Sequence, residues 1–159
     1  MNIGGFQPFT LSDFPGRAAA IVFVQGCNFR CPYCHNRQLW PQKLNVANNI
    51  SESDVLVFLG QRQGCISGLV ITGGEPTLQT DLVNFIRAVR RLGVAVKLDT
   101  NGSRPEVVEA LLDEALIDYI AMDVKAPYTK YDSLCGGAVD KSDIFKSINI
   151  IADSNVCHH

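Results

Sequence analysis

The sequence predicts an α/β fold built on a parallel sheet. Short apolar runs recur at the length of strands, and amphipathic segments of helical period separate them. Glycine and polar residues follow each run. Ala19–Val24 is apolar throughout, as a strand covered on both faces requires. Residues 68–72, 94–98 and 119–124 are the second, third and fourth such runs.

Helices are expected between them. Ser51 is a good N-cap, with Asp54 near the helix dipole and Val55, Leu56 and Leu59 on the apolar face. Leu82, Val83, Ile86, Val89 and Leu92 keep helical spacing, and Gly93 ends that helix. Pro105 fits the first turn of the next, whose Val108, Leu111, Leu112 and Ala115 face inward. A last helix is expected over residues 143–151, and the stretches 40–50 and 128–140 are the most irregular.

Strand–helix alternation implies right-handed crossovers. In such sheets chemistry gathers at the carboxyl ends of the strands. Here Cys27 follows the first run, Gly73-Gly74-Glu75-Pro76 the second and Asp99-Thr100-Asn101-Gly102 the third. Asp123 and Lys125 stand at the end of the fourth. Four separate segments thus deliver polar groups to one rim.

Composition narrows the function classes. The chain of 159 residues suits one domain, and 47% apolar against 19% charged residues is a globular balance. The net charge is −2 with no basic run, so the footprint of a nucleic-acid binder is missing. The longest apolar stretch, residues 18–24, falls far short of the roughly 20 residues that span a bilayer. The N-terminus has neither the basic nor the apolar region of a secretory signal, which makes the cytoplasm the expected compartment.

Of six cysteines, three fall between Cys27 and Cys34. A disulfide framework would need an oxidising compartment, and the close spacing suits a metal better. The spacing Cys27-x₃-Cys31-x₂-Cys34 lets one loop offer three thiolates, soft ligands that select zinc or iron–sulfur. An iron–sulfur (4Fe–4S) cluster on three cysteines leaves one iron open to substrate. The alternative is structural zinc with His35 as fourth ligand, although its adjacency to Cys34 makes joint ligation awkward. Cys65 reads as a small packed residue, while Cys135 and Cys157 show no ligand spacing.

This triplet, with aromatic Tyr33 before the last cysteine, resembles the hallmark of the radical S-adenosylmethionine (radical SAM) enzymes. The segment Phe9-Thr10-Leu11-Ser12-Asp13-Phe14-Pro15-Gly16-Arg17, with Gln25-Gly26-Cys27 after the strand, resembles the activating enzymes of glycyl-radical proteins. Among these the chain is most similar to activators of anaerobic ribonucleoside-triphosphate reductase. The resemblance implies a partial (β/α) barrel and reductive cleavage of S-adenosylmethionine to methionine and a 5′-deoxyadenosyl radical. It implies electrons from reduced flavodoxin or ferredoxin, and a glycyl-radical enzyme as protein partner.

It also implies roles along the rim. Cys27, Cys31 and Cys34 would hold the cluster, and Gly73, Gly74 and Glu75 would receive the amino group of S-adenosylmethionine. Asp99 and Thr100 would lie near its carboxylate with a bound monovalent cation, which Asp123 would also face. Lys125 would face the cofactor, and Tyr33 and His35 its adenosyl group. Asp99 and Lys125 are the candidates for a direct part in the chemistry. Read without the resemblance, Gly73 to Glu75 is equally a tight turn, and Asp123 with Lys125 has a salt-bridged strand end as its lesser alternative.

Activators of this kind continue for two more strands and helices. The chain, expected to be one radical SAM domain over residues 1–159, resembles the first two-thirds of theirs. It ends after about four strand–helix units, where a fifth strand should be starting. Two other functions fit the same residues: a radical enzyme acting on a small molecule, such as a 7-carboxy-7-deazaguanine synthase, and an inactive metal-binding fragment.

Overall fold

Strand pairing sets the frame. The computed structural model describes residues 1–41 and 50–159. Its sheet runs β1 (Ile3–Thr10), β2 (Ala19–Val24), β3 (Gly68–Gly73), β4 (Ala95–Thr100), β5 (Tyr119–Met122) and β6 (Cys157–His158), in that spatial order. β1 is antiparallel to β2, and every later pairing is parallel. Val24 stands beside Gly73 and Thr100 beside Met122, so the carboxyl ends of the strands form one rim.

The crossovers are α1 (Glu52–Gln61), α2 (Leu82–Arg91), α3 (Pro105–Asp113), and a pair, α4 (Tyr131–Cys135) and α5 (Lys141–Asp153). Ser51 accepts from the Asp54 amide at 3.1 Å while Asp54 Oδ2 accepts from the Ser51 amide at 2.9 Å, a reciprocal cap on α1. The Ser51 hydroxyl, which donates to Asp54 Oδ2 at 2.7 Å, and the Ser51 amide together hold the Asp54 carboxyl below its usual range.

Alternation along the strands divides the interior. Ala20, Val22, Val24, Leu69, Ile71, Val96, Leu98 and Ile120 share one cluster with buried apolar residues of α1, α2 and α3 and with Ile151 of α5. Ala19, Ile21, Val70 and Ala95 point the other way and pack with Phe14, Phe23 and Tyr119. Helices gathered on one face, with a smaller apolar cluster on the other, make an open part of a (β/α) barrel. That is the fold class the sequence predicts.

Several boundaries differ from expectation. β1 was not expected: Gly4, Gly5 and Pro8 dilute its strand character, and it pairs at the sheet edge through register shifts that such residues tolerate. β4 runs on through Asp99 and Thr100, whereas β5 stops at Met122, before Asp123 and Lys125. The stretch 128–140 contains a 3₁₀ turn (Tyr128–Lys130) as well as α4. α5 is longer at both ends than expected, its N-cap Asp140 accepting from the Ser142 amide at 2.9 Å. Of the stretch 40–50, residues 42–49 lie outside the described ones. The two residues of β6 pair with Tyr119 and Ile120 where a fifth parallel strand was expected to begin. Among the described residues no helix is long and apolar enough to cross a membrane.

Candidate functional site

The cysteine loop springs from the end of β2 and is pinned by main-chain bonds. Gly26 N donates to Leu39 O (2.7 Å), Cys27 N to Trp40 O (3.2 Å) and Arg30 N to Cys135 O (2.8 Å). Cys34 N closes a turn on Cys31 O (3.0 Å). The Trp40 ring has the Arg30 and Arg37 guanidinium groups within 5.5 and 5.7 Å of its centroid. Phe29, Cys31, Tyr131, Cys135 and Ile144 form a small apolar cluster beneath the loop, with Cys27 and Cys34 at its margin.

All six cysteines are free thiols. Cys65 is exposed, correcting the expectation of a packed residue: it sits just past the end of α1, in the turn closed by its amide on Arg62 O. Cys135, unassigned from sequence, is buried against the cysteine loop. Desolvation by burial, together with the nearby Cys31 thiol, pushes Cys135 up to about 12, so it stays protonated.

The second segment is shaped by close backbone packing. Gly73 has φ +113°, and a Cβ there would lie 2.5 Å from the Val24 nitrogen. A Cβ on Gly74 would collide with the Gly26 carbonyl. This contact lets Glu75 N donate to Gly26 O at 2.7 Å, tying the turn after β3 to the base of the cysteine loop. The glycines therefore serve packing first, while still lining the cleft.

Glu75 is 1% exposed. Its Oε1 accepts from the Thr77 amide (3.1 Å), the Thr77 hydroxyl (2.6 Å) and the Thr100 hydroxyl (2.7 Å), and its Oε2 from the Asn101 amide (2.7 Å). The carboxylate thus braces the β3 turn against the end of β4. Burial raises its pKa, with the four donors pulling the other way. Thr77 was not singled out from sequence, and Asn101 was named within its rim segment without a role of its own. Their signal was a glutamate two residues before a threonine in a turn, where a buried carboxylate needs local donors.

Asp99 is bonded by the Lys97 ammonium on the same face of β4 and by the Thr72 hydroxyl. Burial nevertheless raises its pKa, and Asp123 adds to the rise. Beyond β5, Lys125 Nζ donates to Asp123 Oδ2 at 2.5 Å. For Lys125 burial opposes the charge, but the bond to Asp123 and the surrounding negative field prevail and raise its pKa. Two tyrosines bracket the Lys125 backbone: Tyr33 donates from its hydroxyl to the carbonyl (3.0 Å), and the amide donates to Tyr131 Oη (3.2 Å).

These segments enclose one cleft of about 310 Å³. Every residue to which the resemblance gave a role lines it: Cys27, Cys31, Cys34, Tyr33, His35, Gly73, Gly74, Glu75, Asp99, Thr100, Asp123 and Lys125. Phe29, Asn36, Trp40, Thr72 and Asn101 complete the wall. Among the described residues no three His, Cys, Asp or Glu side chains converge on a point that would hold a single metal ion. Three thiols of one loop line the cleft, and this soft donor set fits a cluster that takes one thiolate per iron. Desolvation by burial raises the Cys27 pKa, so ligation there must draw off a proton.

Residues 21–158 match the profile of the radical SAM superfamily. A Methanocaldococcus jannaschii protein, named provisionally as a glycyl-radical enzyme activating enzyme, is 36% identical over 162 aligned residues, which cover 97% of this chain and 64% of that protein. The pyruvate formate-lyase 1-activating enzyme of Escherichia coli strain K12 is 32% identical over 132 residues, 78% of this chain and 52% of the relative. A 7-carboxy-7-deazaguanine synthase of Hyperthermus butylicus is 33% identical over 105 residues, 65% of this chain and 41% of that enzyme. The chain therefore spans between about two-fifths and under two-thirds of the length of these relatives. With a triple-thiol loop at the rim of a partial barrel and a profile match over most of its length, the chain belongs to the radical SAM superfamily.

Proposed function

We propose that this chain is the catalytic part of a glycyl-radical-enzyme activating enzyme whose protein substrate is an anaerobic ribonucleoside-triphosphate reductase. The observation that carries the reading is the shared cleft: three thiols of one loop face a glycine-rich turn, two carboxylates and a lysine delivered by three further strands. The relative named for glycyl-radical enzyme activation aligns over 97% of the chain and the deazaguanine synthase over 65%, which favours a protein substrate over a small molecule.

When bound, a 4Fe–4S cluster with S-adenosylmethionine supplies one-electron cleavage of the sulfonium, giving methionine and a 5′-deoxyadenosyl radical. The chain's own residues hold and orient. Cys27, Cys31 and Cys34 ligate as thiolates. The backbone of Gly73 and Gly74 borders the space for the amino group, with Glu75 fixing that turn. Thr100 and Asp99 border the carboxylate end, and Lys125 offers a positive charge there. Tyr33 and His35, both exposed at the mouth, border the adenosyl end. Reduced flavodoxin or ferredoxin is the electron donor of this reading, and the cytoplasm its compartment. A monovalent cation would sit beside Asp99 and Asp123, each of which is already bonded to an ammonium.

The test is anaerobic reconstitution with iron and sulfide, then reductant and S-adenosylmethionine, with 5′-deoxyadenosine measured by chromatography. Product together with a glycyl-radical EPR signal on added reductase supports the reading. Product with no such signal removes the protein substrate, and a cluster that yields no product leaves only a metal-binding module.

A further inference from the structure

The rim carries its own counter-charges. Asp99 and Asp123 are the carboxylates at which a monovalent cation is expected, and each is already bonded to an ammonium two residues away on its own segment. The two pairs are unequal. Asp123 is 71% exposed and Lys125 24%, so water can reach both partners and that pair opens at lower cost than one closed around a buried ammonium. Lys97 is 6% exposed in the middle of β4, with the Tyr119 ring centroid 5.9 Å from its Nζ. If Asp99 released it, the ammonium would stay buried without a counter-ion, which is strongly unfavourable.

We infer that Lys97 supplies, as a resident ammonium beside Asp99, the positive charge that a monovalent cation would bring, so the cleft binds S-adenosylmethionine without added cation. This rests on the reading of the cleft given above. Lys97 is a positioning residue: it acts through Asp99 and does not itself line the cleft. With Asp99 neutralised from below, Lys125 is left as the mobile cation able to turn from Asp123 to an incoming carboxylate.

The test uses the full chain, loaded anaerobically with its cluster, in tetramethylammonium chloride at constant ionic strength, because screening alone alters charged binding. Equilibrium dialysis gives the Kd for S-adenosylmethionine as potassium replaces tetramethylammonium. The wild type is expected to hold its Kd within about twofold across the series. Lys97→Met is expected to bind about tenfold more weakly in tetramethylammonium and to recover when potassium is added, whereas Lys97→Arg follows the wild type. A merely structural lysine would not produce rescue by a small cation. A wild-type Kd that tightens about tenfold with potassium overturns the inference, as does a folded Lys97→Met that ignores potassium. Sodium NMR relaxation of the wild-type chain without S-adenosylmethionine decides independently of the variants and of the cofactor: saturable sodium binding sinks the role of Lys97, and its absence supports it. Failure to bind S-adenosylmethionine in every salt, by contrast, removes the reading of the cleft.

Discussion

The two faces of β4 solve different problems with alternate residues. Val96 and Leu98 are fully buried against the helices and do nothing but pack. Lys97 and Asp99, one step out of phase, form an ion pair on the opposite face, and Asp99 reaches the cleft. A strand changes face at every residue, so one six-residue segment is both core and site. The comparison teaches that stability and chemistry divide here by parity: substitutions on the helix face should cost folding alone, and those on the cleft side should cost binding or turnover beyond whatever stability their ion pair carries.

The strongest break of that comparison is Cys31→Ala. It should abolish the cluster absorbance and all 5′-deoxyadenosine formation, while the cluster-free chain loses at most about 1 kcal/mol in urea unfolding. Leu98→Ala should show the reverse, losing about 2–5 kcal/mol by the same measurement, because the helices around it cannot close the cavity. Lys97→Met tests the cleft-side pair: about 1–3 kcal/mol is expected, since Asp99 keeps some solvent, and Lys97→Met with Asp99→Asn should recover part of it. Equal losses for the double and the single variant would show that the pair is not what Lys97 contributes. Smallest is Ser51→Ala, at the exposed start of α1, at about 1 kcal/mol for a lost helix cap. The Asp54 half of that cap has a sign in pH. Its carboxyl titrates below the ordinary 3.8, so its contribution is present above that pH and fades as the pH falls through the lower folded value.

Much of this was legible in the sequence. Continuous apolar runs gave the parallel strands, because a strand covered on both faces has no polar alternation to hide it. The rim residues were legible because functional side chains must stand where strands end. Three features were not. β1 carries glycine and proline and owes its place to an edge. Tyr131 and Cys135 meet the cysteine loop only through tertiary packing. The Glu75 brace joins residues 25 and 26 positions apart, a separation no local pattern encodes. Lys97 did leave a signal: a lysine inside an otherwise apolar strand, two residues before an aspartate, needs a counter-ion on its own face.

The anchoring of the cysteine loop has one further consequence. Its ties at Gly26, Cys27, Arg30 and Cys34 run from amide to carbonyl, so they make no demand on what the intervening side chains are. Asn28 is the exception, since its side chain donates to Ser103 Oγ (2.8 Å) and accepts from Asn101 Nδ2 (2.9 Å). A library that varies the exposed Pro32 should keep the thiols in register, and tuning of the site's reduction potential could be explored there without rebuilding the scaffold.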